Sequence, residues 1–131
     1  MFCRARDWVA TELTFDKHFE ASVFETIIRI VGGFMSAYDL SGDEMFVGKC
    51  EQLVTRLAPA FNTPTGVPYN IVNLRTGHAK NPAWTAQAST LAEFGTQQLE
   101  FVALSHATGD SKYAEMSEHI IKVSDQGEMN E

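Results

Sequence analysis

Hydrophobic side chains recur along most of this chain at the three- and four-residue spacing typical of amphipathic helices. The pattern predicts five helices, at residues 4–13, 22–40, 43–58, 90–107 and 111–123. In the second and fourth helices apolar residues cover most of the circumference, so we expect both to be buried on nearly all sides. Gly32 and Gly33 lie inside the second helix, and we interpret this pair as a close contact with another helix. The predicted fold class is all-α.

The second and third helices are echoed by the fourth and fifth. Residues 40–46 read LSGDEMF and residues 107–113 read ATGDSKY, an offset of 67 positions. In both segments a glycine ends one helix, an aspartate opens the next, and an aromatic residue follows three positions after the aspartate. The repeated unit is therefore an αα-hairpin, and such hairpins normally pack against further copies in an array or ring.

A connector of roughly 30 residues, from about position 58 to 88, separates the two hairpins. It holds all 4 prolines, between positions 59 and 82, together with aromatic and aliphatic residues that indicate order rather than disorder. Residues 68–74 are predicted to form a strand in a small hairpin. A long ordered loop on a helical scaffold either contacts a ligand or only plugs the scaffold, and the pattern leaves both roles open.

Composition narrows the function. The chain has 131 residues, 44% hydrophobic, and a formal net charge of −7, which indicates an acidic globular domain without a nucleic-acid surface. No apolar run is long enough for a membrane span, and no signal peptide opens the chain, so we expect no membrane contact by this segment. Cys3 and Cys50 are interpreted as small packing residues. No two of the 4 histidines share the spacing of a helical metal site, so no metal ligands are predicted.

Glu25 and Arg29 are the sharpest candidate pair for chemistry. They lie four positions apart on a mostly apolar helix, so both should point the same way and be only partly exposed. The alternative is structural, because Ser22-x-x-Glu25 has the form of a capping box at the start of the helix. Spacing alone leaves both interpretations open.

Glu93 allows the same two interpretations. Thr90-x-x-Glu93 is again a capping box by pattern, and Gln97 and Glu100 are expected to continue a polar stripe along the helix. The repeat adds a geometric argument, since equivalent helix starts in successive hairpins lie at the same end. Glu25 and Glu93 should therefore converge on one rim, where paired carboxylates serve acid and base chemistry such as glycoside hydrolysis.

Three segments together carry a resemblance to a known family. Residues 21–43, 59–69 and 89–101 closely resemble the motifs of class I α-1,2-mannosidases, glycoside hydrolase family 47, most of all the plant-type Golgi members. The resemblance runs from about Ala5 to Ile121. It implies an (α/α)7 toroid, a ring of seven αα-hairpins, that trims α-1,2-linked mannose from high-mannose N-glycans with inversion. It also implies a calcium ion that contacts the sugar.

By this resemblance Glu25 matches the proton donor, which acts through a water, whereas Arg29 and Glu93 match substrate-binding residues. The connector would help to wall the glycan pocket. The family's catalytic base, its calcium-binding threonine and its disulfide cysteines have no counterpart in the chain. We therefore expect residues 1–131 to be a fragment of one catalytic domain, about two hairpins of seven, inactive alone and marginally stable.

The family works in the lumen of the Golgi or the endoplasmic reticulum, which is the expected location. Two alternatives from other classes remain open. One is a non-catalytic module of the same fold that binds mannose glycans in glycoprotein quality control. The other is a bare αα-repeat scaffold that binds no sugar.

Overall fold

Helices dominate the chain in the computed structural model, which describes residues 1–125. The α-helices are α1 (Phe2–Thr11), α2 (Val23–Thr26), α3 (Gly32–Ser41), α4 (Met45–Leu57), α5 (Leu91–Phe94), α6 (Gln98–Thr108) and α7 (Lys112–Asp125). Short 3-10 turns lie at Ala58–Phe61 and Ala83–Thr85, and three short strands are β1 (Glu20–Ser22), β2 (Ile71–Asn73) and β3 (Ala79–Lys80). Helices α3 and α4 pack as one hairpin and α6 and α7 as another, which confirms the predicted αα-hairpin organisation.

The second helix, predicted at residues 22–40, is observed at residues 23–41 and is continuous but not regular. Between α2 and α3 the backbone forms a π-helical turn at Ile27–Val31, and the Gly32 N–H donates to the carbonyl of Ile27 five residues back. The buried residues of this long helix recur every four positions, namely Val23, Ile27, Val31 and Met35. Four residues of an α-helix advance by about 400°, so this series would drift off one face, and the wider π turn cancels part of that drift.

The long helix and α6 are less enclosed than the apolar pattern predicts. Ile30 is 38% exposed and Leu40 is 91% exposed, and Leu99 and Val102 on α6 are exposed as well. The expectation that both helices are buried on nearly all sides is therefore wrong for these outward positions. In the folded chain, one face of each helix packs on the core and the other is open.

The Gly32-Gly33 pair is also only partly what the sequence predicts. A Cβ on Gly32 would lie 3.5 Å from the Glu100 Oε1 atom, so α6 does approach the long helix at this point. Around Gly33, no neighbouring heavy atom of residues 1–125 lies within 4 Å of the equivalent position. The close helix–helix contact therefore involves Gly32 alone.

The two predicted hairpin turns are built alike. Gly42 and Gly109 both have left-handed backbones, with φ of 69° and 73°, and end α3 and α6 through N–H bonds to the carbonyls of Tyr38 and Ser105. The carboxylate Oδ1 of Asp43 accepts from the Met45 N–H at 3.0 Å, and that of Asp110 accepts from the Lys112 N–H at 3.0 Å. The repeat seen in the sequence is thus matched by equivalent hydrogen bonds at the two turns.

The fourth predicted helix, residues 90–107, is broken into α5 and α6. The break falls at positions 95–97, where the Gly95 N–H closes α5 on the Leu91 carbonyl. Gln97 is only 1% exposed and its Nε2 turns back to the Glu93 carbonyl at 3.3 Å. The buried Gln97 lies at this break, so the single helix predicted over residues 90–107 is interrupted there.

The connector contributes strands β2 and β3 of the small sheet. Strands β2 and β3 form the predicted hairpin, with Val72 opposite Ala79. The sequence did not reveal β1, which pairs antiparallel with β2 so that Ser22 lies opposite Ile71. Because β1 runs directly into α2, this pairing fixes the start of the long helix against the connector.

The burial of the two cysteines tests their interpretation as packing residues, and one ion pair attaches α1. Cys50 is fully buried, and burial, with a smaller effect of the Glu51 charge, raises the pKa of its thiol to about 12, as suits a packing residue. Cys3 is exposed, so the packing interpretation is wrong for that residue. The α1 helix is attached by Arg6, whose Nε donates to Asp43 at 2.6 Å and thereby lowers the pKa of that carboxyl.

Candidate active-site rim

Glu25 and Arg29 form an ion pair at the start of the long helix. The Ser22 hydroxyl accepts from the Glu25 N–H at 3.2 Å, so Ser22 caps the helix as predicted. The Glu25 carboxylate does not return to Ser22, as a complete capping box requires, but accepts from Arg29 Nε. Their side chains are 46% and 71% exposed, so both can reach a ligand. The expected partial exposure is found for Glu25, but it is wrong for Arg29, whose side chain extends into solvent.

Arg29 is held as a cation in this arrangement. Its pKa is raised, first because its Nε donates to the Glu25 carboxylate and second because of the charge of that carboxylate. Arg29 also lies within the π-helical turn, a feature often found at functional sites. The wider turn re-aims the residues after Glu25 without ending the helix.

Glu93 is not a capping residue in the way the sequence suggests. Thr90 makes no side-chain hydrogen bond at the start of α5. The Glu93 carboxylate instead accepts from the side-chain amide of Asn70, in the connector. The capping-box interpretation of Thr90-x-x-Glu93 is therefore wrong, because a residue 23 positions earlier takes the carboxylate.

Asn70 joins the two halves of the rim. It is buried, and its carbonyl accepts from the N–H of Val23, the first residue of α2, at 2.9 Å. Its own N–H donates to Asn81 Oδ1 at 2.8 Å. One residue thus contacts both the start of the helix that carries Glu25 and the carboxylate of Glu93. This link brings the two predicted carboxylates to the same end of the hairpins.

Sequence reasoning missed Asn70 and Asn81. The available signal was weak: Asn70 is a polar residue inside the predicted strand, where alternation alone explains it. Only the pairing of β1 with β2 shows that Asn70 lies beside the long helix. A sequence pattern describes one element at a time, so it cannot reveal a contact that joins three elements.

The described residues offer no ready metal site. Within residues 1–125 there is no group of three or more His, Cys, Asp and Glu side chains placed to hold an ion. Nor does that part of the chain contain a helix both long and apolar enough to cross a membrane. The rim residues described above supply two carboxylates and a guanidinium.

The αα-hairpin fold places the start of the helix that carries Glu25 and the carboxylate of Glu93 on either side of Asn70. Comparison with known proteins makes the class specific. The model of glycosyl hydrolase family 47 matches residues 1–131, and the chain belongs to that family.

Individual relatives agree. The chain is 60% identical over 121 residues to mannosyl-oligosaccharide 1,2-alpha-mannosidase MNS1 of Arabidopsis thaliana, covering 92% of this chain and 22% of that protein. It is 49% identical over 119 residues to the human endoplasmic reticulum mannosyl-oligosaccharide 1,2-alpha-mannosidase, covering 91% and 17%. The chain thus spans about a fifth of the length of these curated relatives.

The fold matches a solved structure as well. The alpha-1,2-mannosidase from Trichoderma reesei superposes with a TM-score of 0.75 and 29% identity, over 89% of this chain and 27% of that one. This match confirms the predicted fold class, αα-hairpins of the (α/α)7 toroid. The resemblance to α-1,2-mannosidases read from the three motifs is confirmed with it.

Proposed function

We propose that this chain forms the proton-donor side of the active site in a mannosyl-oligosaccharide α-1,2-mannosidase that trims high-mannose N-glycans on glycoproteins. The relatives named above carry that activity in their names. The observation on which the assignment depends is the Asn70 link, which holds the Glu25 end of the long helix next to Glu93. Glu25 supplies one of the two carboxyl groups that inverting hydrolysis of a glycosidic bond requires, and Glu93 is placed to bind the sugar beside it.

Each rim residue has a role in this proposal. In its protonated form Glu25 delivers a proton through a water to the glycosidic oxygen, so that the leaving sugar departs as an alcohol and Glu25 is left as the carboxylate that pairs with Arg29. Arg29 orients the Glu25 carboxylate through their ion pair, and Glu93 accepts hydrogen bonds from sugar hydroxyls. Water attacks the anomeric carbon from the opposite face, which inverts its configuration.

An inverting site also needs a base roughly 6.5–9.5 Å from the acid, with room for the attacking water. The family resemblance assigns that base to no residue of this chain. Inactivity of residues 1–131 on their own therefore stays a prediction.

Calcium and location also stay proposals. Calcium takes about six to eight oxygen ligands, and residues 1–125 hold no cluster of ligating side chains. We therefore assign no described residue to the ion and no step to it. The lumen of the endoplasmic reticulum or Golgi is the proposed location, supported by the relative named for the endoplasmic reticulum.

The test is a chimera in which the full 131-residue chain replaces the matching segment of the Arabidopsis relative. Mannose release from α-1,2-mannobiose and the anomeric configuration of the first product are followed by NMR. We expect release with inversion. Glu25→Gln should lower kcat by about 10²–10⁴-fold, the usual contribution of a general acid.

Glu44→Gln is the matched control, because it makes the same chemical change at an exposed carboxylate in the turn after α3. Its activity should equal that of the unsubstituted chimera. Full activity of Glu25→Gln would refute the proton-donor role. A chimera that binds the disaccharide without releasing mannose would instead support a glycan-binding module.

A further inference from the structure

A cavity of about 280 Å³ opens in the connector. Its volume lies near the lower end of the range for small-molecule sites, about 300–1,000 Å³, which suits one sugar ring rather than an oligosaccharide. The lining combines hydroxyl, amide and aromatic side chains, among them Thr63, Tyr69, Asn81, Gln87, Ser89 and Phe94.

One wall of this cavity is fixed by its own hydrogen bonds. Asn81 Nδ2 donates to the Gln87 carbonyl at 2.8 Å and to the Ser89 hydroxyl at 3.2 Å. The Ser89 hydroxyl in turn donates to the Pro68 carbonyl at 2.8 Å. Because Asn81 Oδ1 accepts from the Asn70 N–H, this wall is continuous with the residue that holds Glu93.

The backbone at the edge of the cavity is held in a strained conformation. Ala86 and Gln87 are consecutive non-glycine residues with positive φ, 52° and 65°. A residue with a Cβ rarely adopts this conformation, and it persists only where surrounding bonds impose it. Here the bond from Asn81 to the Gln87 carbonyl, with that from the Gln87 N–H to the Pro82 carbonyl, imposes it.

The positive φ of Gln87 fixes the direction in which its side chain leaves the backbone. Within residues 1–125, the hydrogen bonds of this wall use neither the side-chain amide of Gln87 nor the hydroxyl of Tyr69. Both groups are therefore available to a ligand. The Tyr69 ring and the buried Phe94 add an apolar surface. A hexose has the matching chemistry, with an edge of hydroxyls and an apolar face of C–H groups.

We propose that this connector cavity is an accessory subsite for one hexose unit on a neighbouring branch of the same glycan, with Gln87 and Tyr69 as its binding residues. The inference rests on the proposed function, because only a branched mannose glycan would occupy the rim and the cavity together. It goes further in assigning part of the glycan specificity to the connector.

The test measures binding in the chimera carrying Glu25→Gln, so that no substrate is consumed. Dissociation constants are determined by calorimetry for a branched high-mannose N-glycan and for α-1,2-mannobiose, which has no neighbouring branch. Gln87→Gly removes the amide and relieves the positive φ. We expect Kd for the branched glycan to rise about five- to tenfold, as for one lost hydrogen bond, and Kd for the disaccharide to stay constant.

Tyr69→Phe, which removes only a hydroxyl, should shift the same ratio in the same direction, while Gln52→Ala on the exposed side of α4 should leave it unchanged. A ratio of the two Kd values unaffected by Gln87→Gly and Tyr69→Phe would overturn the subsite. Equal weakening for both ligands would overturn it too. A further result is that the chimera without substitutions releases no mannose while Gln87→Gly still changes the ratio of the two Kd values. That result would contradict the proposed hydrolysis but support the subsite.

Discussion

At the scale of single residues, one motif had two outcomes. Ser22-x-x-Glu25 and Thr90-x-x-Glu93 are equivalent by pattern, yet Ser22 caps its helix and Thr90 does not. The difference comes from the partners, since Arg29 lies one turn after Glu25 whereas Asn70 reaches Glu93 from the connector. The i,i+4 pair could be predicted from spacing alone. The Asn70 contact could not, because it depends on tertiary structure.

Asn70 should matter for both stability and binding. Asn70→Ala removes the donor to Glu93 and leaves that carboxylate partly buried without its partner, at a cost of about 1–2 kcal/mol in the free energy of unfolding. In the chimera the same change should raise KM for α-1,2-mannobiose more than it lowers kcat, because Glu93 binds sugar rather than transfers a proton. Urea unfolding and steady-state kinetics measure the two effects.

Asn62→Ala provides the comparison, since Asn62 is an exposed asparagine in the same connector. It should change the free energy of unfolding by less than about 0.5 kcal/mol. Equal effects of the two substitutions on KM would mean that Asn70 has no positioning role.

At the scale of elements, the turns were predictable and the irregularities were not. Gly-Asp pairs at an offset of 67 positions mark both hairpin turns because each residue type meets a local backbone need. The π-helical turn, the break at positions 95–97 and strand β1 all depend on packing against other elements. Local periodicity therefore gives the helices but not the places where tertiary contacts deform them.

The two kinds of glycine in the first hairpin should respond oppositely to alanine. Gly42→Ala places a Cβ on a backbone with φ of 69°, which should lower the free energy of unfolding by about 1 kcal/mol. Gly33→Ala lies in α3 with open space around the new methyl group, and should raise the free energy of unfolding by roughly 0.5–1 kcal/mol. Thermal or chemical unfolding of the two variants against the unsubstituted chain gives both values. The same sign for both would contradict the structural roles given to these glycines.

At the scale of the whole molecule, the motifs carried more information than the composition. Acidity and apolar content indicated only a globular domain, whereas three segments in order indicated the family that the model match confirms. Exposed apolar side chains such as Leu40 and Leu99 agree with the predicted repeat, because αα-hairpins normally pack against further hairpins. Family membership therefore predicted the fold class and the candidate rim residues. The roles of Asn70 and of the connector cavity became visible only in the structure.

The central claim is that Glu25 and Glu93 face one bound mannose from the same rim. The most direct measurement is a crystal structure of the Glu25→Gln chimera with uncleaved α-1,2-mannobiose. We predict that the glycosidic oxygen lies within one water of the side chain at position 25, with sugar hydroxyls bonded to Glu93. A disaccharide bound elsewhere, with position 25 turned to bulk solvent, would contradict the account.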